Sequence, residues 1–195
     1  MDAQVIILAA GQSKRMGEPK AFVKCNGKMF IEYITELYLD FGAEIIIVFN
    51  PENFEIYKSL NTPELKTKIV INRHPEYERF YSIKLGAQKA AEANTYTFLQ
   101  NIDNPFIKRE TLTKLWENRS DADVIIPSYE NKGGHPILMS PHTINELATF
   151  REDNFDFRQF LFKFTKKHIE TTDKEILRNI NSKKDLPCAT FKAKM

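Results

Sequence analysis

The chain has 195 residues, of which 42% are hydrophobic and 28% are charged, and its formal net charge is +2. This length and composition predict a single domain over residues 1–195 with a hydrophobic core, and the near-balanced charge argues against a nucleic-acid partner. No apolar run approaches the roughly 18 residues of a membrane span, and the amino terminus lacks the basic segment of a signal peptide, so we expect a cytoplasmic protein without a membrane partner.

Predicted strands and helices alternate along most of the chain. Short, β-branched apolar runs predict strands at 4–10, 44–49, 67–72, 95–102 and 122–128. Helical periodicity and helix-starting residues predict helices at 29–42, 51–60, 82–93 and 108–118. After them we expect a glycine turn and strand at 133–140, partly helical structure at 141–165, a strand at 167–172 and a short helix beginning at 182.

This alternation predicts an α/β fold with a mostly parallel sheet. Strands that are separated by helices pair in parallel through right-handed crossovers, which place helices on both faces of a doubly wound sheet. Ligands of such sheets bind beyond the carboxyl ends of the strands. The loops after the first and fourth strands are therefore the first candidates for a functional site.

The loop after the first strand has the composition of a phosphate-binding loop. The chain reads VIILAAGQSKRMGEPKAF here, so Gly11 follows the strand and two cations, Arg15 and Lys20, come soon after. Glycine lets main-chain N–H groups approach a ligand, and arginine and lysine bind polyphosphates. The spacing matches neither the Walker A motif nor the dinucleotide-binding fingerprint. The alternative is a solvated basic turn, but the position directly after the first strand favours phosphate binding.

Asp103 follows the fourth predicted strand, in the stretch NIDNPFI. A carboxylate at a strand tip can hold Mg²⁺ beside phosphates, because Mg²⁺ usually takes one or two carboxylates and fills its other positions with water and phosphate oxygens. The alternative is a cap for the predicted helix at 108–118. A phosphate-binding loop at the same edge of the sheet favours the metal site.

Other residue patterns argue for and against further kinds of site. His135 follows two glycines, where it either contacts substrate or is a strand-edge residue. The scattered histidines argue against a His-based zinc site, and no serine has the Gly-x-Ser-x-Gly surroundings of a hydrolase. The spacing of Cys25 and Cys188 predicts reduced thiols. The phenylalanines of 150–164 predict core packing or a dimer surface, so we expect a monomer or a homodimer.

Five stretches resemble the MobA-like NTP transferases, the molybdenum-cofactor guanylyl- and cytidylyltransferase group. LAAGQSKRMGEPKAF is similar to the family's LAAGxSxRMGxxK motif, and NIDNPFI is similar to its strand-end Asp-x-Pro. The stretches NRHPEYERFYSIKLGAQKA, GGHPILMS and NINSKKDL resemble the family's serine-opened helix, its Gly-His-Pro strand and its late Asn-x-Asn or Asp-x-Asp motif. These matches span nearly the whole chain.

The resemblance implies a Rossmann-like three-layer sandwich of the nucleotide-diphospho-sugar transferase (glycosyltransferase-A-like) type. It also implies a Mg²⁺-dependent nucleotidyltransferase, which passes a nucleoside monophosphate from a nucleoside triphosphate to a phosphorylated acceptor, molybdopterin in this family, and releases pyrophosphate. The residue roles that it implies are nucleotide binding by Leu8, Ala9, Ala10, Gly11 and Ser82, triphosphate binding and catalysis by Arg15 and Lys20, and metal binding by Asp103 and Asn181.

Departures from the family pattern leave alternatives open. Ser-Lys-Lys at 182–184 stands where the family has Thr-Pro-Glu, and 179–181 takes the neutral Asn-x-Asn form. The LAAG start favours CTP and the Asn-x-Asn end favours GTP; of the two we expect CTP. One alternative is a nucleotidyltransferase that acts on a sugar, choline or alcohol phosphate. The other is a catalytically silent nucleotide-binding regulator or maturation factor.

Overall fold

The computed structural model describes residues 2–11, 16–60 and 67–187. Within these ranges the strands are β1 (Ala3–Ala9), β2 (Lys24–Cys25), β3 (Lys28–Met29), β4 (Ala43–Phe49), β5 (Thr67–Ile71), β6 (Thr97–Asn101), β7 (Val124–Tyr129), β8 (Lys132–Gly133), β9 (Ile137–Met139) and β10 (Lys166–Glu170). The helices are α1 (Phe30–Phe41), α2 (Pro51–Ser59), α3 (Glu78–Ala90), α4 (Arg109–Glu117), α5 (Pro141–Ala148) and α6 (Phe157–Phe160). Short 3-10 turns include those at 20–22, 75–77, 174–177 and 183–185.

β1 lies at the centre of a sheet whose strand order is β10–β7–β9–β6–β1–β4–β5. It pairs in parallel with β4 and β6, and β4 pairs in parallel with β5. Every residue of β1 is buried, as expected for an apolar strand that is covered on both faces. The carboxyl ends of β1, β4 and β6 therefore meet at one edge of the sheet, where a doubly wound sheet binds its ligands.

β9 reverses the direction of the sheet. The turn at 130–131, where both residues have positive φ, sends the chain back along β7, as in two-residue hairpins. β9 consequently runs antiparallel to both β7 and β6, while β10 is parallel to β7. Because Leu99 of β6 pairs with Ile137 of β9, the residues before β9 reach the edge at which β6 ends. The sequence predicted this strand but not its direction.

Helices cover both faces of the sheet. α1 and α4 pack against one face, with Ile34 and Leu112 in the same apolar layer as the odd-numbered residues of β1. α3 and α5 pack against the other face, with Ile83 and Leu147 in the layer that contains the even-numbered residues Ile6 and Leu8. This is the predicted three-layer α/β arrangement. Among the described residues, the helices are too short or too polar to cross a membrane.

Two local predictions are wrong. α3 begins at Glu78 rather than at Ser82, because the 3-10 turn at 75–77 leads directly into it. Ser82 is therefore not a helix cap; it lies within the helix, and its hydroxyl accepts a hydrogen bond from the Asn72 amide at 2.9 Å. Cys25 is buried in β2 and is not a free thiol, contrary to the expectation of reduced thiols, and Cys188 lies outside the described residues.

Candidate functional site

A cavity of about 840 Å³ opens at the carboxyl edge of the sheet. The predicted site residues that line it are Leu8, Ala10, Gly11, Lys20, Ser82, Asp103, His135 and Asn181. They come from β1 and its loop, from α3, from the segments that flank β6 and β9, and from the chain beyond β10. The fold thus brings side chains from distant parts of the sequence together in a volume that is typical of small-molecule sites.

The end of β1 and the start of the loop after it line this cavity. Leu8, Ala10 and Gly11 line the cavity, whereas the side chain of Ala9 is buried in the apolar layer on the α1 face. Ala9 was predicted to bind nucleotide, but it is not one of the lining residues. Arg15 lies outside the described residues, so its role stays a prediction.

Lys20 joins the two predicted metal ligands. Its ammonium donates to Asn181 Oδ1 at 2.9 Å and to Asp103 Oδ2 at 3.3 Å. Only 13% of the Lys20 side chain is exposed, so the charge is partly withdrawn from water and is offset by the carboxylate. The three side chains form a compact polar cluster on the wall of the cavity.

Backbone bonds bring Asn181 to this cluster. The Ile180 N–H donates to the Asp103 carbonyl at 2.7 Å. The Asp185 carboxylate then accepts from the N–H groups of Asn181 and Ser182 at 3.0 and 2.7 Å, and these bonds, that of Asn181 above all, lower the pKa of Asp185. The helix that was expected from 182 is a 3-10 turn at 183–185, and it holds Asn181 in place.

The oxygens of Asp103 and Asn181 fit a hard divalent cation. Both touch the same ammonium, so both are within reach of one cation that would replace it. One carboxylate and one amide oxygen leave most coordination positions to water and phosphate oxygens, which is the ligand set that Mg²⁺ prefers. Within the described ranges, no group of three or more His, Cys, Asp and Glu side chains is placed to hold a metal ion.

Asp103 does not cap the following helix. The residue before α4, Lys108, makes no side-chain cap bond. Asp173 serves this helix end instead: its carboxylate accepts from the Lys108 N–H at 2.9 Å and from the Thr111 hydroxyl at 2.8 Å. The Asp103 carboxylate is therefore available to the cavity, which removes the structural alternative that the sequence left open.

His135 lines the cavity as a neutral side chain. Burial, and then the positive charge of Arg79, lower its pKa to about 4. Its Nδ1 is buried and has no hydrogen-bond partner among the described residues. Its main-chain N–H donates to the Ile176 carbonyl at 3.0 Å. The preceding residue, Gly134, is packed so closely that an added Cβ would lie 2.5 Å from this same carbonyl oxygen. A glycine is thus needed to seat His135 at the cavity.

Two arginines that the sequence did not single out also line the cavity. Arg79, at the start of α3, donates to Asn101 Oδ1 at 3.0 Å, and Arg158 comes from α6. The described lining thus has three cations, Lys20, Arg79 and Arg158, beside three carboxylates, Glu76, Glu78 and Asp103. Arginine is the side chain best suited to bind a phosphate. Arg158 lies among the phenylalanines that predicted core packing, but 150–164 also contains Arg151 and Lys163, so the local sequence did not distinguish it.

The chain is similar to molybdenum cofactor transferases over almost its whole length. It is 27% identical over 180 residues to a molybdenum cofactor cytidylyltransferase of Escherichia coli (strain K12), covering 92% of this chain and 91% of that protein. It is 30% identical over 201 residues to a probable molybdenum cofactor guanylyltransferase of Natranaerobius thermophilus, covering 95% and 93% of the two chains.

The fold is also shared with solved structures. The structure of Rv0371C from Mycobacterium tuberculosis H37Rv in complex with manganese matches it with a TM-score of 0.70 at 15% identity, covering 88% of this chain and 89% of that one. The sequence model of the MobA-like NTP transferase domain matches residues 5–169. The chain therefore belongs to the MobA-like NTP transferase family and is a nucleotidyltransferase.

Proposed function

We propose that this nucleotidyltransferase is Mg²⁺-dependent and transfers a nucleoside monophosphate, from CTP in preference to GTP, to the phosphate of molybdopterin. The observation that carries the proposal is the contact of Lys20 with both Asp103 and Asn181 in a cavity that the β1 loop also lines. One site then holds a cation for phosphates, oxygen ligands for a metal and a glycine loop. We further propose that the chain acts as a single domain, as a monomer or a homodimer, in the cytoplasm.

The reaction needs alignment and charge neutralisation rather than a protein nucleophile. An oxygen of the acceptor phosphate attacks the α-phosphorus of the nucleoside triphosphate. The bond from this phosphorus to the bridging oxygen of pyrophosphate breaks, and its electron pair leaves with pyrophosphate. A divalent cation on Asp103 and Asn181 would neutralise phosphate charge when bound. The manganese complex of the mycobacterial protein with the same fold supports a divalent cation here.

The nucleotide would lie along the β1 loop. Leu8, Ala10, Gly11 and Ser82 all line the cavity and would border the nucleotide. Lys20, with Arg15 as a second predicted cation, would exchange its present contacts for the triphosphate and stabilise the charge that develops on the leaving pyrophosphate. Ala9 would contribute only through the peptide that joins it to Ala10, since its side chain is buried and its carbonyl accepts from Asn53.

The acceptor would lie toward α3 and α6. Arg79 and Arg158 line the cavity and would bind its phosphate, a task to which arginine is well suited. A neutral His135 would exchange hydrogen bonds with the acceptor without adding charge. Molybdopterin is proposed as this acceptor because similar proteins of both base types are named for the molybdenum cofactor.

The test is pyrophosphate release from CTP or GTP in the presence of molybdopterin and Mg²⁺. Asp103→Asn keeps the size of the side chain and removes its charge, so we expect release to fall by about 100-fold or more. Asp121→Asn is the matched control, because Asp121 pairs with Lys167 on the surface at 2.5 Å and does not line the cavity. It should retain full activity.

Three results would contradict the proposal. Unchanged release in Asp103→Asn would exclude this metal site. Faster release from GTP than from CTP would reverse the base preference. Binding of nucleotides without release from any of them, with any phosphorylated acceptor, would favour the silent nucleotide-binding alternative.

A further inference from the structure

Two buried asparagines at the start of α2 hold the main chain of the β1 loop. The amide nitrogen of Asn50 donates to the Ala10 carbonyl at 2.8 Å. The amide nitrogen of Asn53 donates to the Ala9 carbonyl at 2.7 Å and to the Gly11 carbonyl at 3.4 Å. Asn50 is 7% and Asn53 is 2% exposed, and neither lines the cavity. Three successive carbonyls of the loop are therefore directed at α2.

Asn50 uses both ends of its amide. While its nitrogen donates to the loop, its oxygen accepts from the Asn53 N–H at 2.7 Å and so caps α2. Each end has a different partner, so the amide orientation is set by both bonds. Because Asn50 directly follows β4, which pairs with β1 along its length, the loop is anchored to the neighbouring strand.

The direction of these carbonyls determines the direction of the N–H groups. In a trans peptide the N–H points opposite to the carbonyl of the preceding residue. With the Ala10 carbonyl on Asn50, the Gly11 N–H points away from α2, and with the Ala9 carbonyl on Asn53, the Ala10 N–H does so too. Ala10 and Gly11 border the cavity, whereas the two asparagines do not.

We infer that Asn50 and Asn53 are positioning residues for nucleotide binding, which turn the N–H groups of the β1 loop toward the phosphates of a nucleoside triphosphate. The inference rests on the proposed function, because it needs a nucleotide along this loop. Main-chain N–H groups that are held in one direction form anion-binding sites without reorganisation on binding. Neither asparagine has to touch the ligand for this effect.

The test separates the two bonds of Asn50. Asn50→Ser and Asn50→Asp both retain a good helix cap, so α2 should stay folded, but both lack the amide donor for the Ala10 carbonyl. We expect the dissociation constant for CTP and Mg²⁺, measured by calorimetry, to rise about tenfold in each variant. The thermal unfolding midpoint and the KM for the acceptor should stay close to those of the wild type. Asn53→Leu, which removes the other donor at similar volume, should act in the same direction.

The matched control is Asn118→Asp. Asn118 also donates its amide nitrogen to a main-chain carbonyl, that of Lys114 at 2.9 Å, but it lies at the exposed end of α4. Its nucleotide affinity should equal that of the wild type. Weaker binding by Asn50→Asp alone, with Asn50→Ser unchanged, would show charge repulsion and overturn the inference.

The remaining outcomes are equally decisive. Wild-type affinity in Asn50→Ser and Asn53→Leu would overturn the inference and leave the proposed function standing. An equal loss of affinity for nucleotide and acceptor, with a lowered unfolding midpoint, would show a structural role only and would overturn it too. A wild-type protein that binds no nucleotide would overturn the proposed function together with the inference.

Discussion

Lys20 is the residue on which the candidate site converges. Its ammonium contacts side chains that are 83 and 161 positions further along the chain, at 3.3 and 2.9 Å. In the proposed function a divalent cation would take the same two oxygens, and Lys20 would exchange them for the triphosphate. The loops after the first and fourth predicted strands indicated Lys20 and Asp103, and the family resemblance implied Asn181. The contact between them follows only from the fold.

His135 should make the unfolding free energy depend on pH. Its pKa is lowered from 6.5 to about 4 in the folded protein, mainly by burial. Between these values the unfolded chain binds a proton that the folded protein does not, so the free energy of unfolding falls as the pH drops from 6.5 toward 4. We expect His135→Gln to flatten this part of the pH profile, measured by urea unfolding of the metal-free protein.

The control for this prediction is His142→Gln. His142 is exposed at the start of α5, away from the cavity, so this variant should keep the pH profile of the wild type. A profile of His135→Gln that coincides with the wild type between these pH values would contradict the role given to burial of His135.

At the scale of elements, α3 connects the cavity to the segment that carries Arg158. Arg79 and Ser82 on its first turns line the cavity. Phe80 packs against the rings of Phe150, Phe155 and Phe160 at centroid distances of 5.6 to 6.0 Å. The phenylalanines of this segment were predicted to form core packing or a dimer surface. Those named here pack against α3 and thereby attach residues 150–160 to it.

An ion pair adds a second attachment at the same place. Lys84 on α3 is only 8% exposed, and its ammonium contacts Asp153 at 2.6 Å. Asp153→Asn would leave this buried ammonium without its anion. Because Asp153 itself is partly exposed, we expect a loss of about 1 kcal/mol in unfolding free energy and a several-fold rise in the KM for the acceptor, through displacement of Arg158.

Glu146→Gln provides the comparison for Asp153→Asn. Its ion pair with Lys163 has the same length, 2.6 Å, but both side chains are nearly half exposed. Urea unfolding should show a change below about 0.5 kcal/mol for this variant. Equal effects of the two substitutions would mean that burial of Lys84 does not matter. An unchanged KM for the acceptor in Asp153→Asn would show that the Lys84–Asp153 ion pair does not position Arg158.

At the scale of the whole molecule, the residues of the candidate site lie together at one edge of the sheet. Parallel pairing brings the ends of β1, β4 and β6 to this edge, and the reversed direction of β9 adds His135 from the opposite side of β6. α2 holds the β1 loop from one flank, and the chain beyond β10 returns to Asp103 from the other. Ligand binding at this edge should therefore stabilise the fold as a whole.

Nucleoside triphosphates with Mg²⁺ should raise the thermal unfolding midpoint. Ligand at about 100 times its dissociation constant adds about 2.7 kcal/mol to the free energy of unfolding. We expect CTP to give the largest shift among CTP, GTP, ATP and UTP in a thermal-shift panel, and chelation of the metal to reduce it. Cytidine, which lacks phosphates, is the control and should give little shift. A panel without any response would contradict nucleotide binding at this edge.

Local patterns predicted the elements well because each depends on neighbours within a few residues. The apolar stripe of 29–42 became α1, and its predicted stop, Gly42, ends that helix with a φ of 87°. Ser82 shows the limit of such patterns. A serine before an apolar run resembles a cap, but its hydroxyl bonds to Asn72, which β5 brings from outside the helix. Arg158 was missed for the same reason, since nothing nearby in the sequence indicates which cavity α6 adjoins.

The sequence by itself determined the α/β class, the family and the chemical character of the β1 loop, Asp103 and Asn181. These follow from side-chain periodicity and from residue types in short motifs. The tertiary structure decided that Lys20 lies between Asp103 and Asn181, that Asp173 rather than Asp103 bonds to the start of α4, and that Asn50 and Asn53 hold the β1 loop. Contacts of this kind join residues tens of positions apart, so they depend on sheet order and helix packing rather than on local propensity.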